Sequence, residues 1–229
     1  MVDEWGSGHV YVIYANNSNQ VRTRSFDGDQ VTFIGRNDGT AGTPYVADWN
    51  DQVHEKVQIL QKEHGLSQRF NIIAHSQGGL VARKYIYDHP HTVAGLVTLG
   101  TPHHGSPLAK DFAFFAKYVV GGEKAQSNLK PIGVEKFNRR YPVEGAPLFH
   151  GENVYIVRGD ADGYDTWGDR GKTLPVGTCC LPNIKPTATG WFLPKVPIYR
   201  GPLATYDSYE HMELVQNPDV AKKAASVLP

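Results

Sequence analysis

The chain reads as an α/β domain, a mostly parallel sheet with helices on both faces. Three observations predict this. Short apolar runs alternate with segments whose apolar residues recur every three or four positions. The 229 residues suit one domain with one sizeable core. Between Phe70 and Tyr87 an apolar strand runs through a serine-bearing turn directly into a helical pattern, the step from which parallel sheets are built.

The elements follow in order. Val10 to Tyr14 is a buried strand, and Val31 to Ile34 a shorter one. A loop rich in Gly, Asn and Asp separates Ile34 from Pro44. Val46, Trp49, Val53, Val57 and Leu60 then fall on one face of a helix that Gly65 ends. Phe70 to Ala74 is the strand that delivers Ser76, and Leu80 to Tyr87 is the helix after it, stopped by His89-Pro90. A second apolar strand, Leu96 to Leu99, leads into Gly100-Thr101-Pro102-His103-His104-Gly105-Ser106. Pro107 to Val120 is apolar nearly all round and reads either as a core helix or as a cap presenting aromatic surface. Val154 to Val157 is the next strand and runs into an aspartate-rich stretch. Gly163 to Tyr206, rich in Gly, Pro and Thr, reads as a long irregular excursion with room for short strands. Asn217 caps the last helix and Pro218 takes its first position.

Composition excludes several classes. The 23 basic and 23 acidic residues balance, so nothing suggests a nucleic-acid partner or a charged tail. No run of about 18 apolar residues marks a transmembrane helix. The first twenty residues lack a basic segment followed by an apolar core, so no signal peptide is expected in this chain, and the compartment stays open. Cys179 and Cys180 are neighbours, cannot staple distant segments, and are expected as free thiols.

The chemistry centres on Ala74-His75-Ser76-Gln77-Gly78. A sharp strand-to-helix turn exposes a serine hydroxyl, and small residues two before and two after it let the turn close. Ser76 is therefore the candidate nucleophile. A serine hydroxyl also needs a base within hydrogen-bond reach, and a third group to set the tautomer of that base.

These residues, with Gly79-Leu80-Val81-Ala82-Arg83 and the Gly100 to Ser106 motif, resemble bacterial lipases and esterases of the α/β-hydrolase superfamily. The likeness is good from Tyr45 to Ser106 and looser from Val154 to the C-terminus. It implies the α/β-hydrolase fold over residues 1–229, with a cap inserted around 107–150. It implies a serine ester hydrolase with the triad order Ser, Asp, His, acting on lipid or small-molecule esters without an organic cofactor; no metal ligands are assigned, and a structural metal stays open. His211, just before the last helix, is then the base. Asp162 best fits the acid, after the strand ending near Gly159, with Asp169, Asp160 and Asp165 as rivals. His103 and His104 would line the floor of the site. The Gln77 N–H would be one oxyanion donor. The second normally comes from a His-Gly pair after an earlier strand, and no such pair follows an N-terminal strand here. Either Ala15-Asn16-Asn17 replaces it, or the usual first strand is absent from this chain. An acyltransferase or thioesterase on the same triad, or a non-catalytic module of the same fold, are the alternative functions.

Overall fold

Two β-ladders, each backed by helices, organise the computed structural model, which describes residues 1–36, 46–101, 103, 131–143, 145–151, 154–159, 204–206 and 213–229. In the first ladder β1 (Val10–Ile13) pairs in parallel with β3 (Asp29–Ile34), and β2 (Val21–Phe26) pairs antiparallel with β3. The β2–β3 hairpin was not anticipated, although its signal is local. Asp27 and Gly28 form a two-residue loop and both adopt positive φ, 51° and 97°. That is what a type I′ turn demands, and Asp-Gly is among the pairs that meet it most readily.

The second ladder carries the site. Strands β4 (Phe70–His75), β5 (Val93–Leu99), β6 (Val154–Gly159) and β7 (Ala204–Tyr206) lie in that order, every neighbouring pair parallel. All seven residues of β5 are buried, as a central strand covered on both faces requires. On one face α2 (Val46–Glu63) and α3 (Gly78–Asp88) bury Val57, Ala82, Tyr85 and Ile86 against Ala74 and Leu96. On the other face Val97, Leu99 and Val157 pack with Leu214, Val220 and Ala224. The first of these belongs to α5 (Glu213–Gln216) and the other two to α6 (Pro218–Ala225). Trp5, at the end of α1 (Val2–Trp5), joins the same cluster. Helices on both faces of a parallel sheet are thus observed.

Local signals explain the ends. The helix expected from Val46 runs to Glu63, with Val46, Trp49, Val57 and Leu60 buried. Gly65 at φ 78° turns the chain back, and the Leu66 N–H closes on the Leu60 carbonyl at 3.1 Å. The Asn217 side chain accepts from the Asp219 N–H at 2.9 Å and caps α6, with Pro218 at the first turn.

One short strand, β7, does lie in the irregular excursion, at its end. The helix α4 (Pro131–Arg140) sets Val134 into the core beside Trp49, Leu80 and Val81. The expected cap segment 107–120 lies outside the described residues, as do Cys179 and Cys180. Among the described residues no helix is long and apolar enough to cross a membrane.

Candidate active site

Ser76 stands at the carboxyl end of β4, between the last strand residue, His75, and Gln77, which precedes α3. Its φ is 53°. A serine in the left-handed region is strained, and such strain persists only where neighbours over-determine it. Here the Ser76 N–H donates to the Leu99 carbonyl at 2.8 Å, continuing the β4–β5 ladder beyond the strand. The Ser76 carbonyl accepts from the Gly79 N–H at 3.1 Å and from the Thr101 hydroxyl at 2.8 Å. This is the strand–turn–helix geometry expected of an exposed serine nucleophile.

Gln77 is buried and helical in φ and ψ (−58°, −23°). Among the described residues nothing accepts its backbone N–H. Both polar atoms of its carboxamide are likewise buried without a partner.

The other expected triad members lie outside the described residues: Asp162, its rivals Asp160, Asp165 and Asp169, and His211. The topology nevertheless brings their flanking residues to one end of the sheet. His75 is registered with Leu99, Leu99 with Val157, and Gly159 with Tyr206. The chain leaves Gly159 toward Asp160–Asp169, and leaves Tyr206 toward His211, at the same carboxyl edge where β4 hands over to Ser76. In open parallel sheets that edge is where reacting groups collect.

His103 departs from expectation. It does not line a floor; it is completely buried, with both ring nitrogens engaged. Its Nδ1 lies 3.1 Å from Arg83 Nη1, and its Nε2 lies 3.0 Å from Thr98 Oγ1. A guanidinium has no acceptor, so Nδ1 holds the lone pair and the proton sits on Nε2. The Thr98 hydroxyl in turn donates a hydrogen bond to the Tyr155 carbonyl at 3.4 Å. His104 is outside the described residues.

Arg83 is the hub of this network; in the sequence it stands only as the last residue of the motif after Ser76, with no role assigned to it. It donates also to Asn138 Oδ1 at 2.9 Å and to the Tyr141 carbonyl, and lies over the Phe137 ring. Asn138 Nδ2 returns a bond to the His103 carbonyl at 2.7 Å. Burial pushes the Arg83 guanidinium down to about 9, which still leaves it charged at neutral pH. The signal in the chain is an arginine within the buried stretch Gly79-Leu80-Val81-Ala82-Arg83 of α3. A charge on a buried helix face must meet fixed acceptors. The network ties the helix after Ser76 to the loop after β5 and to α4.

The loop after β1, the candidate for the missing oxyanion motif, is held from α2. The Lys56 ammonium donates to the Asn16 carbonyl at 2.5 Å and to Asn19 Oδ1 at 2.8 Å. Ala15 packs beside Leu80 and Val81 of α3, while the Asn16 N–H is spent on the Tyr14 carbonyl at 3.0 Å. Among the described residues no group of three His, Cys, Asp or Glu side chains could hold a metal ion.

A parallel sheet with a strained serine between its edge strand and the following helix is the strand–turn–helix setting in which α/β-hydrolase folds present a nucleophile. Residues 14–133, over half of the chain, match the palmitoyl protein thioesterase family, and the chain belongs to that family. It is 29% identical over 137 residues to a triacylglycerol lipase of Pseudomonas fragi, covering 45% of this chain and 46% of that one. A triacylglycerol lipase of Pseudarthrobacter phenanthrenivorans is 49% identical over 41 residues, 18% of this chain and 13% of that one. Among solved structures, a mature lipase of Bacillus licheniformis superposes with TM-score 0.47 at 21% identity, covering 66% of this chain and 64% of that one. A metagenomic carboxyl esterase gives 0.46 at 18% identity, covering 70% and 53%. The chain thus spans less than half the length of the two triacylglycerol lipases.

Proposed function

We propose that this chain is a serine hydrolase of acyl esters, with Ser76 as nucleophile, His211 as base and Asp162 as the acid that orients it. The left-handed backbone of Ser76 at the β4–α3 turn carries this reading. His211 removes the hydroxyl proton as Ser76 Oγ attacks the ester carbonyl. The oxyanion is met by the Gln77 N–H, which no described group occupies, and by a second donor. The intermediate collapses, His211 protonates the departing alcohol, and the acyl group stays on Ser76. Water activated by the same histidine then releases the carboxylic acid. The apolar 107–120 segment acts as a cap within 107–150 and selects substrates with acyl chains.

A second reading changes the leaving group. The palmitoyl protein thioesterase family match favours a thioester, from which the same acyl-enzyme would form with a thiol departing. Hydrolysis of p-nitrophenyl butyrate, p-nitrophenyl palmitate and palmitoyl-CoA, beside Ser76→Ala, tests both. Loss of all turnover in Ser76→Ala is the expected result. Full activity in that variant refutes the nucleophile, and faster turnover of palmitoyl-CoA than of either ester moves the assignment to thioesterase.

A further inference from the structure

We infer that Thr101 is a positioning residue that aims the oxyanion donor, resting on Ser76 as the nucleophile. The Gly100 to Ser106 motif stood out in the sequence, yet the triad chemistry uses none of it. Its threonine is completely buried, and its hydroxyl donates to the Ser76 carbonyl at 2.8 Å.

The Ser76 carbonyl and the Gln77 N–H belong to one peptide group. That group is planar and trans, with no cis bond at this position, so its N–H points opposite to its C=O. Whatever fixes the carbonyl therefore fixes the direction of the N–H. Two donors converge on this oxygen. The Gly79 N–H comes from the backbone of α3, and any sequence forming that turn supplies it. The Thr101 hydroxyl is the side-chain contribution. A carbonyl that accepts two hydrogen bonds is also more polarised, which strengthens the N–H at the other end of the peptide as a donor.

The surroundings hold Thr101 in place. Its carbonyl accepts the His103 N–H at 2.8 Å, and His103 is locked by Arg83 and Thr98. On the other side Gly79 leaves the room Thr101 occupies. A Cβ at residue 79 would stand 2.7 Å from Thr101 Cγ2 and 2.8 Å from its Cβ, and would also strike the hydroxyl oxygen. The turn and the motif fit each other at this contact.

The test compares Thr101→Val, which removes the hydroxyl and keeps the shape, with Thr101→Ser, which keeps the hydroxyl. The assays are kcat and KM for p-nitrophenyl butyrate, and inhibition by an aliphatic trifluoromethyl ketone, whose tetrahedral adduct presents an oxyanion. For Thr101→Val, kcat should fall roughly tenfold or more, KM should stay within about twofold, and ketone affinity should weaken in parallel with kcat/KM. Thr101→Ser should recover most of both. Unchanged kcat in Thr101→Val, a loss confined to KM, or a Thr101→Ser as slow as Thr101→Val would each overturn the assignment. Should Thr101→Val fail to give a cooperative thermal melt, Thr101→Ala removes the same hydroxyl and is judged against Thr101→Ser by the same criteria. Ser76→Ala separates this inference from the reading beneath it. Activity in Ser76→Ala would overturn both. An inactive Ser76→Ala beside Thr101 variants at the unmodified rate would overturn the inference alone.

Discussion

Replacing His103 by alanine should destabilise the domain by about 3–5 kcal/mol, although its imidazole is neutral. The imidazole is fully buried, and its Nδ1 is one of three acceptors that meet the terminal guanidinium nitrogens of the buried Arg83. Alanine leaves one guanidinium N–H facing a void. A hydrogen bond to a charged partner contributes roughly 1.5–3 kcal/mol, and a buried charged donor left unpaired costs at least that. The cavity left by most of a ring adds about 1–2 kcal/mol. Thr98 loses the donor at 3.0 Å but keeps its own bond to the Tyr155 carbonyl, so that end contributes little. His103→Gln, whose amide oxygen can still accept from Arg83, should recover about half of the loss. Urea unfolding followed by circular dichroism is the assay. The midpoint should drop while the slope stays constant, because the surface exposed on unfolding hardly changes. A His103→Ala shift under about 0.5 kcal/mol at unchanged slope would refute the idea that buried Arg83 depends on this acceptor.

Two further outcomes follow from local geometry. His89 stacks on His54 with ring centroids 3.8 Å apart, and burial first, then His54, holds its pKa below the ordinary 6.5 while Asp88 pulls the other way. A base with a depressed folded pKa binds fewer protons folded than unfolded, so stability is complete above about 6.5 and declines as pH falls through the folded value. Melting temperature should therefore drop between pH 7.5 and 5.5 more steeply in the unmodified chain than in His89→Asn, and equal slopes would contradict this. Asn217→Ala removes the side-chain acceptor for the Asp219 N–H and should cost about 1 kcal/mol in thermal or urea unfolding, with no change in the rate of ester hydrolysis.

The elements with strong local signals were legible in the sequence. The α2 face of Val46, Trp49, Val57 and Leu60, the cap at Asn217-Pro218 and the small residues around Ser76 each follow from short-range sterics and periodicity. The β2–β3 hairpin has its signal in the Asp27-Gly28 turn pair and not in the apolar runs, because Val21–Phe26 alternates too weakly to read as a strand. Three residues that organise the site were beyond that kind of reading. Arg83, Thr101 and Asn138 matter through partners 20 to 58 residues away, such as His103, Ser76 and Tyr141. A charge among apolar helix residues could announce that acceptors must exist, but not which ones.

By itself the sequence determined the class of fold, the turn that carries Ser76 and the kind of chemistry a serine in that turn can do, because strand–turn–helix geometry is local. Only the tertiary structure decided that His103 is a buried acceptor and not a pocket residue, and that Thr101 grips the Ser76 carbonyl. It alone also brought the ends of β4, β6 and β7 to one edge. Those facts depend on strand register and side-chain packing between distant segments, and neither is encoded within any one stretch of the chain.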